Sequence, residues 1–157
     1  MIVNAEYLKT EILKEYRIKK QYYICATEVN IGINIADVLL MNDKEVIEIE
    51  IKNNWNDFKA DFRKDKHKFI KDYFFLKANR FYFCIPYQLK EKCLNYLDDN
   101  DYPYGLIIYN GKLRQIRKCK RLKELNNREI EYIKKQIIRR ATSELIQLRE
   151  FKDQFGD

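Results

Sequence analysis

Hydrophobic positions change their period several times along this chain, and each change marks an element. Over residues 3–19, Val3, Leu8, Ile12 and Tyr16 recur at helical intervals among charged neighbours, which predicts an amphipathic first helix. The texture then turns β-like. Tyr22-Tyr23-Ile24-Cys25 and Ile35-Ala36-Asp37-Val38-Leu39-Leu40 form two runs separated near Gly32, and Asn42-Asp43 signals a hairpin turn. Residues 45–52 alternate strictly, with Ile47, Ile49 and Ile51 on one face and Glu48, Glu50 and Lys52 on the other.

Asn53-Asn54 ends that strand and can cap a helix. Trp55, Phe58, Phe62 and Phe69 recur on one side, predicting a single helix from about residue 54 into the low seventies. Phe81-Tyr82-Phe83-Cys84-Ile85 reads as a buried strand stopped by Pro86, followed by a short helix over residues 88–97 and a polar loop. Gly105-Leu106-Ile107-Ile108-Tyr109 is a further strand, and the Asn110-Gly111 turn returns residues 112–118 antiparallel to it. From residue 127 to about 152, Ile130, Ile133, Ile137, Ala141, Leu145 and Leu148 line one stripe of a long basic helix.

The order αβββαβαββα predicts an α/β fold with a mixed central sheet flanked by helices. With 157 residues and no repeat or low-complexity linker, the chain reads as one domain, its core over residues 3–118 and its basic helix at the C-terminus.

Composition narrows the partners. Apolar residues make up 46% and charged residues 35%, a globular balance, and the formal charge of +7 should attract polyanions such as nucleic acid or acidic lipid. A low-GC genome rich in Lys, Asn and Ile codons would produce the same charge. No apolar stretch reaches the ~20 residues that span a bilayer, and the first residues lack a signal peptide's pattern, so a soluble cytoplasmic protein with no membrane partner is expected. The four cysteines, Cys25, Cys84, Cys93 and Cys119, lack the spacing of a zinc site and are expected to be reduced, with Cys25 and Cys84 in strands.

The candidate chemistry lies on the carboxylate strand. Taken alone, Glu48, Glu50 and Lys52 describe an ordinary solvated strand face. Asp37 changes that picture, because the Asn42-Asp43 turn folds its strand back onto theirs. A two-residue loop would set Asp37 opposite Glu48, a four-residue loop would set it opposite Glu50, and an unbulged three-residue loop would send it to the other face. A carboxylate within an apolar run, next to other carboxylates, must be compensated or protonated. A divalent cation compensates it, and Mg²⁺ (or Mn²⁺ in its place) suits Asp37, Glu50 and the main-chain carbonyl of Ile51. Lys52, two residues beyond Glu50, can then stabilise charge on a phosphate or favour hydroxide formation from a water. No Gly-rich phosphate cradle accompanies this set, which argues against nucleoside triphosphate chemistry.

Asp37, twelve intervening residues and then Glu50-Ile51-Lys52 resemble the signature of the PD-(D/E)XK nuclease superfamily, with Ala36 in place of the proline. The resemblance implies a restriction-endonuclease-like αβββαβ core in which an acidic pair binds Mg²⁺ and a lysine assists hydrolysis. A closer similarity, over residues 28 to about 122, is to the MmcB-like group of bacterial and phage DNA-repair nucleases. It is carried by Glu28 before Gly32, Ala36-Asp37, Glu48-Ile49-Glu50-Ile51-Lys52, Asp57-Phe58, Asp61, Lys66-His67-Lys68, Asn79-Arg80-Phe81-Tyr82-Phe83 with Pro86, and Gly105-Leu106-Ile107. Related enzymes place a glutamate of the first helix or strand beside the metals. Glu28 is the residue this resemblance favours, ahead of Glu6 and Glu11.

DNA would need basic surfaces. Lys59, Arg63 and Lys66 recur at helical spacing just after Lys52 and could hold a phosphate backbone, or simply pair with Asp57, Asp61 and Asp65. His67, the single histidine, lies between Lys66 and Lys68; it could touch a phosphate together with them, although a solvated helix position is the plainer expectation. Trp55 could stack on a base but fits core packing better. Arg114 and Arg117 lead the densest basic segment, an edge strand that would either follow a backbone or deter aggregation.

Together these readings predict a metal-dependent DNA endonuclease of repair or recombination, selecting DNA structure rather than sequence. A restriction or phage-defence nuclease and a non-cleaving DNA-binding module are the alternatives. A homodimer is admitted, since cutting both strands of a junction requires two sites.

Overall fold

The computed structural model describes residues 4–32, 34–68 (Lys68 by its backbone) and 77–156; Val3, Phe69 and the Lys68 side chain, which entered the expectations from sequence, lie outside the described residues. Helix α1 (Ala5–Leu13) starts at Asn4, whose side chain accepts the Tyr7 N–H, and continues into a π-helical segment, Lys14–Lys19. Strands β1 (Ile24–Asn30), β2 (Ile35–Met41) and β3 (Val46–Ile51) follow, then helices α2 (Trp55–Asp61) and α3 (Asp65–Lys68). Strand β4 (Arg80–Pro86), helix α4 (Lys90–Asp99), strands β5 (Gly105–Tyr109) and β6 (Leu113–Arg117), and helix α5 (Asn127–Phe155) complete the chain.

The six strands form one sheet in chain order. β1, β2 and β3 make an antiparallel meander, β4 and β5 add in parallel to β3, and β6 returns antiparallel at the edge. The parallel pairs need crossovers, which the helical segments after β3 and β4 supply. Buried Asn79 fixes the start of β3: its side chain accepts the Val46 N–H at 2.7 Å and its own N–H reaches the Val46 carbonyl at 3.1 Å.

Core residues cover both faces of the sheet. Leu8, Ile12 and Tyr16 join a cluster with Val38, Leu40, Ile47, Ile49 and Ile51, while Ile133 and Ile137 of α5 pack with Ala26, Ala36, Leu39, Met41 and Val46. The mixed sheet flanked by helices is the predicted fold. Among the described residues no helix is long and apolar enough to cross a membrane.

Two expectations about helices are corrected. The continuous helix after Asn54 is broken: α2 ends at Asp61, and the N–H groups of Arg63 and Lys64 turn back to the carbonyls of Ala60 and Asp61. The apolar stripe of α5 is buried only at Ile133 and Ile137, and Leu145 and Leu148 are exposed. The reason is length: a 29-residue helix rises about 1.5 Å per residue and overruns the seven-residue β1 against which it packs.

Candidate functional site

The turn between β2 and β3 has four residues, 42–45, and pairs Met41 with Val46 and Val38 with Ile49. Asn42 builds it by accepting the N–H groups of Lys44 and Glu45 on its side chain, an Asx-type turn. One step further, this register sets Asp37 opposite Glu50, the four-residue alternative of the sequence reading. Asp37 Oδ2 accepts the Ile51 N–H at 2.8 Å.

The carboxylate face is not a solvated one, which corrects the plainer expectation for it: Glu48 is 0% and Glu50 4% exposed. Burial demands compensation, and it comes from three lysines. Lys52 Nζ lies 2.9 Å from both Glu50 Oε1 and Asp61 Oδ1, and Lys64 Nζ lies 3.1 Å and 2.6 Å from the same two oxygens. Lys66 Nζ sits 3.1 Å from Glu48 Oε1 and 3.2 Å from Glu50 Oε2.

The broken helix makes this arrangement. On a continuous helix Lys64 and Lys66 would point about 160° apart, whereas the turn lets both reach Glu50. It also carries His67 back to Asp61, with Nε2 2.7 Å from Asp61 Oδ2 and Nδ1 2.8 Å from the Tyr104 hydroxyl. Lys66 and His67 are therefore buried partners of carboxylates, a correction to their expected DNA-facing role; the ammonium lies against Glu48 and Glu50, and the imidazole is enclosed by Phe62, Phe81 and Tyr104.

Charge is unevenly shared. Burial and then the Glu50 charge push the Asp37 carboxyl above its ordinary range. Burial also acts to raise Glu50, but Lys66 and Lys52 outweigh it and hold that carboxyl below its usual value. Asp61 is driven far down, because the His67 hydrogen bond and the ammoniums of Lys66 and Lys52 overcome its burial. Burial lowers His67 despite its bond to Asp61, so the imidazole is neutral near pH 7. Glu48 Oε2 is buried without a hydrogen-bond partner.

Four carboxyl groups, of Asp37, Glu48, Glu50 and Asp61, thus share one buried region with the ammoniums of Lys52, Lys64 and Lys66. Among the described residues no three His, Cys, Asp or Glu side chains form a metal cage. Asp37, Glu50 and the Ile51 carbonyl are oxygen donors of the kind Mg²⁺ takes, but both Glu50 oxygens are held by lysines. Lys64, whose side chain is 46% exposed, is the ammonium with room to withdraw from Glu50.

Glu28 lies on β1, between the pairs Thr27–Val38 and Val29–Ala36 and so beside the Asp37 position. Its backbone is left-handed at φ +52°, a strained conformation for a non-glycine residue, and its carboxylate is held by Lys9 Nζ at 3.3 Å and Arg140 at 2.9 Å. Glu6 joins the same buried Lys9, and Glu11 pairs with Lys14 on the surface.

Lys59, Arg63 and Arg114 are exposed; Lys59 caps the Trp55 ring, which itself stacks on Phe58. Arg117 is committed within the fold to Asp98 and to the Tyr104 carbonyl. The sequence reading did not find the joint role of Asp61, Lys64 and Tyr104. Asp61 and Lys64 follow Lys52 closely, but only the break after α2 aims them back, and Tyr104 stands 37 positions from His67 with no local pattern linking them.

No protein-family model matches the chain, and no curated protein does. Among solved structures, the fold is similar to that of the SPO1766 protein of unknown function from Silicibacter pomeroyi, with a TM-score of 0.68 and 17% identity over 90% of this chain and 88% of that one. At that identity the likeness concerns the fold alone.

Proposed function

We propose that this protein is a Mg²⁺-dependent DNA endonuclease of the PD-(D/E)XK type, acting in repair or recombination on DNA structure rather than on a long sequence. The observation that carries the reading is the placement of Asp37 opposite Glu50 across the β2–β3 hairpin, with the Lys52 ammonium touching Glu50.

Asp37 and Glu50, with the Ile51 carbonyl, would hold the ion. Bound there, Mg²⁺ would polarise a phosphoryl oxygen and lower the pKa of an attacking water. The Lys52 ammonium, its pKa raised by Glu50 and Asp61 against its burial, keeps its proton at neutral pH and stabilises negative charge on the phosphate. Exposed Lys59 and Arg63, just beyond Lys52 in sequence, would hold the backbone, and Arg114 on the edge strand offers a second contact.

One observation favours a second reading, a DNA-binding module that does not cleave. Both Glu50 oxygens are engaged by lysines, so a metal must displace an ammonium. The two readings separate in a cleavage assay on single-stranded, duplex, flap and branched DNA with Mg²⁺ or Mn²⁺. Metal-dependent cutting abolished by Asp37→Ala and strongly reduced, to a measurable residue, by Lys52→Ala supports the nuclease; binding without cutting supports the module, and cutting that is unaffected by both substitutions rejects the assigned site.

A further inference from the structure

Lys52 carries a long flexible stem, and an ammonium acting on a phosphate has to be held to within about 1 Å. Glu50 alone does not fix it. The second anchor is Asp61 Oδ1, at 2.9 Å, on the far side of the turn after α2. The Lys52 ammonium thus lies between two carboxylates, donating to Glu50 Oε1 and ion-paired with Asp61 Oδ1, each at 2.9 Å, which confines it from two sides.

Asp61 is itself held. Its Oδ2 meets His67 Nε2 at 2.7 Å, and His67 Nδ1 meets the Tyr104 hydroxyl at 2.8 Å. Asp61, His67 and Tyr104 are 1%, 2% and 0% exposed. A neutral imidazole beside a carboxylate assigns the protons: Nε2–H donates to Asp61, and Nδ1 accepts from the Tyr104 O–H. The chain of bonds runs from the start of β5, through α3 and the end of α2, to the ammonium beside the strand end. Its outer members, His67 and Tyr104, are buried, and His67 reaches the ammonium through Asp61.

We propose that Asp61, oriented by His67 and Tyr104, is the positioning residue for Lys52, an arm that aims the ammonium at the reacting phosphate. This rests on the reading that Lys52 assists phosphodiester hydrolysis, and it assigns a role to three residues which that reading leaves unused. Comparable outer supports of catalytic groups affect activity by about 10- to 100-fold when removed.

The test is a double-mutant cycle combined with a direct view of the ammonium. Single-turnover cleavage at saturating Mg²⁺ should fall about 10- to 100-fold in Asp61→Asn and less in His67→Gln and Tyr104→Phe, with DNA affinity held within about threefold. In a Lys52→Ala background, Asp61→Asn should cause no further loss. Independent additive losses would overturn the positioning role, since a purely structural defect adds to the loss of Lys52. Tyr104→Phe removes one hydroxyl and keeps the ring, which guards against a variant that does not fold.

The second readout does not depend on activity. The ¹⁵N-detected ammonium resonance of Lys52, observed in the wild type, should broaden or vanish in Tyr104→Phe and Asp61→Asn while the Lys66 resonance persists. An unchanged Lys52 signal refutes the arm even if the protein cleaves DNA. A wild type that shows the coupled signal but never cleaves retains the arm and refutes the nuclease reading instead.

Discussion

Asp37 takes the Ile51 N–H on its side-chain oxygen, at 2.8 Å, next to the last regular β2–β3 pair, Val38–Ile49. The bond pins the carboxylate against the backbone of the residue that follows Glu50. It also lets function and stability be separated at this position. Burial and the Glu50 charge raise the Asp37 pKa, so its ionised form is disfavoured in the folded state, and the stability this group contributes is lost as pH rises through its folded value.

Asp37→Asn keeps an acceptor for the Ile51 N–H and removes the charge. Cleavage should fall by at least about 100-fold, whereas stability at pH 7 should stay equal or rise. Urea denaturation and single-turnover cleavage on the same preparations check this. A variant that is clearly less stable would mean that the carboxylate supports the fold rather than straining it.

Mg²⁺ should raise the thermal midpoint of the wild type, since a ligand that binds only the folded state stabilises it by about 2.7 kcal/mol at a hundredfold excess over Kd. The rise should disappear in Asp37→Asn and return to baseline on chelation with EDTA. An equal Mg²⁺ response in the variant would place the ion elsewhere.

Lys66 Nζ serves Glu48 and Glu50 in a buried position. Lys66→Met leaves Glu48 without a cation and should destabilise by about 3–5 kcal/mol. Adding Glu48→Gln to that variant should recover much of the loss, because the uncompensated charge is gone. Equal stabilities of the single and double variants would contradict the pairing.

Asp61 predicts a response to acid. Its folded pKa lies well below the unfolded value, so its stabilising contribution is complete above the unfolded pKa of about 3.9 and is lost progressively as pH falls below it. Wild-type stability should decline steeply from about pH 5 downward, and Asp61→Asn should decline less over the same interval. Parallel curves would show that another carboxylate carries the dependence.

Exposed Lys59, Arg63 and Arg114 should act through phosphates. Replacing each with Gln should weaken DNA binding uniformly across sequences and reduce the slope of log affinity against log salt by about 0.9 for each phosphate no longer neutralised. Arg117→Gln should leave the slope unchanged, because its guanidinium is spent on Asp98 and the Tyr104 carbonyl. Fluorescence anisotropy at several salt concentrations measures both.

Local chemistry in the sequence determined the strands, their faces and the turns. The period-2 alternation of residues 45–52 sent Ile47, Ile49 and Ile51 to one side, and Asn42 and Asn110-Gly111 marked hairpins that form as read. Sequence also placed Asp37 and Glu50 on facing strands, because a hairpin pairs residues by counting from its turn; which residues met depended on a loop length the sequence left open among two, three and four. What surrounds them was decided by tertiary structure. Periodicity assigned Lys66 and His67 to the surface of one long helix, but the chain turns after Asp61 and pairs Glu48, Glu50 and Asp61 with Lys66, Lys64, Lys52 and His67. A buried carboxylate stabilises any arrangement that brings it a cation or a donor, and that demand outweighs a continued helical ladder. Sequence spacing reports which residues share an element, whereas charge compensation across elements is settled only when they pack.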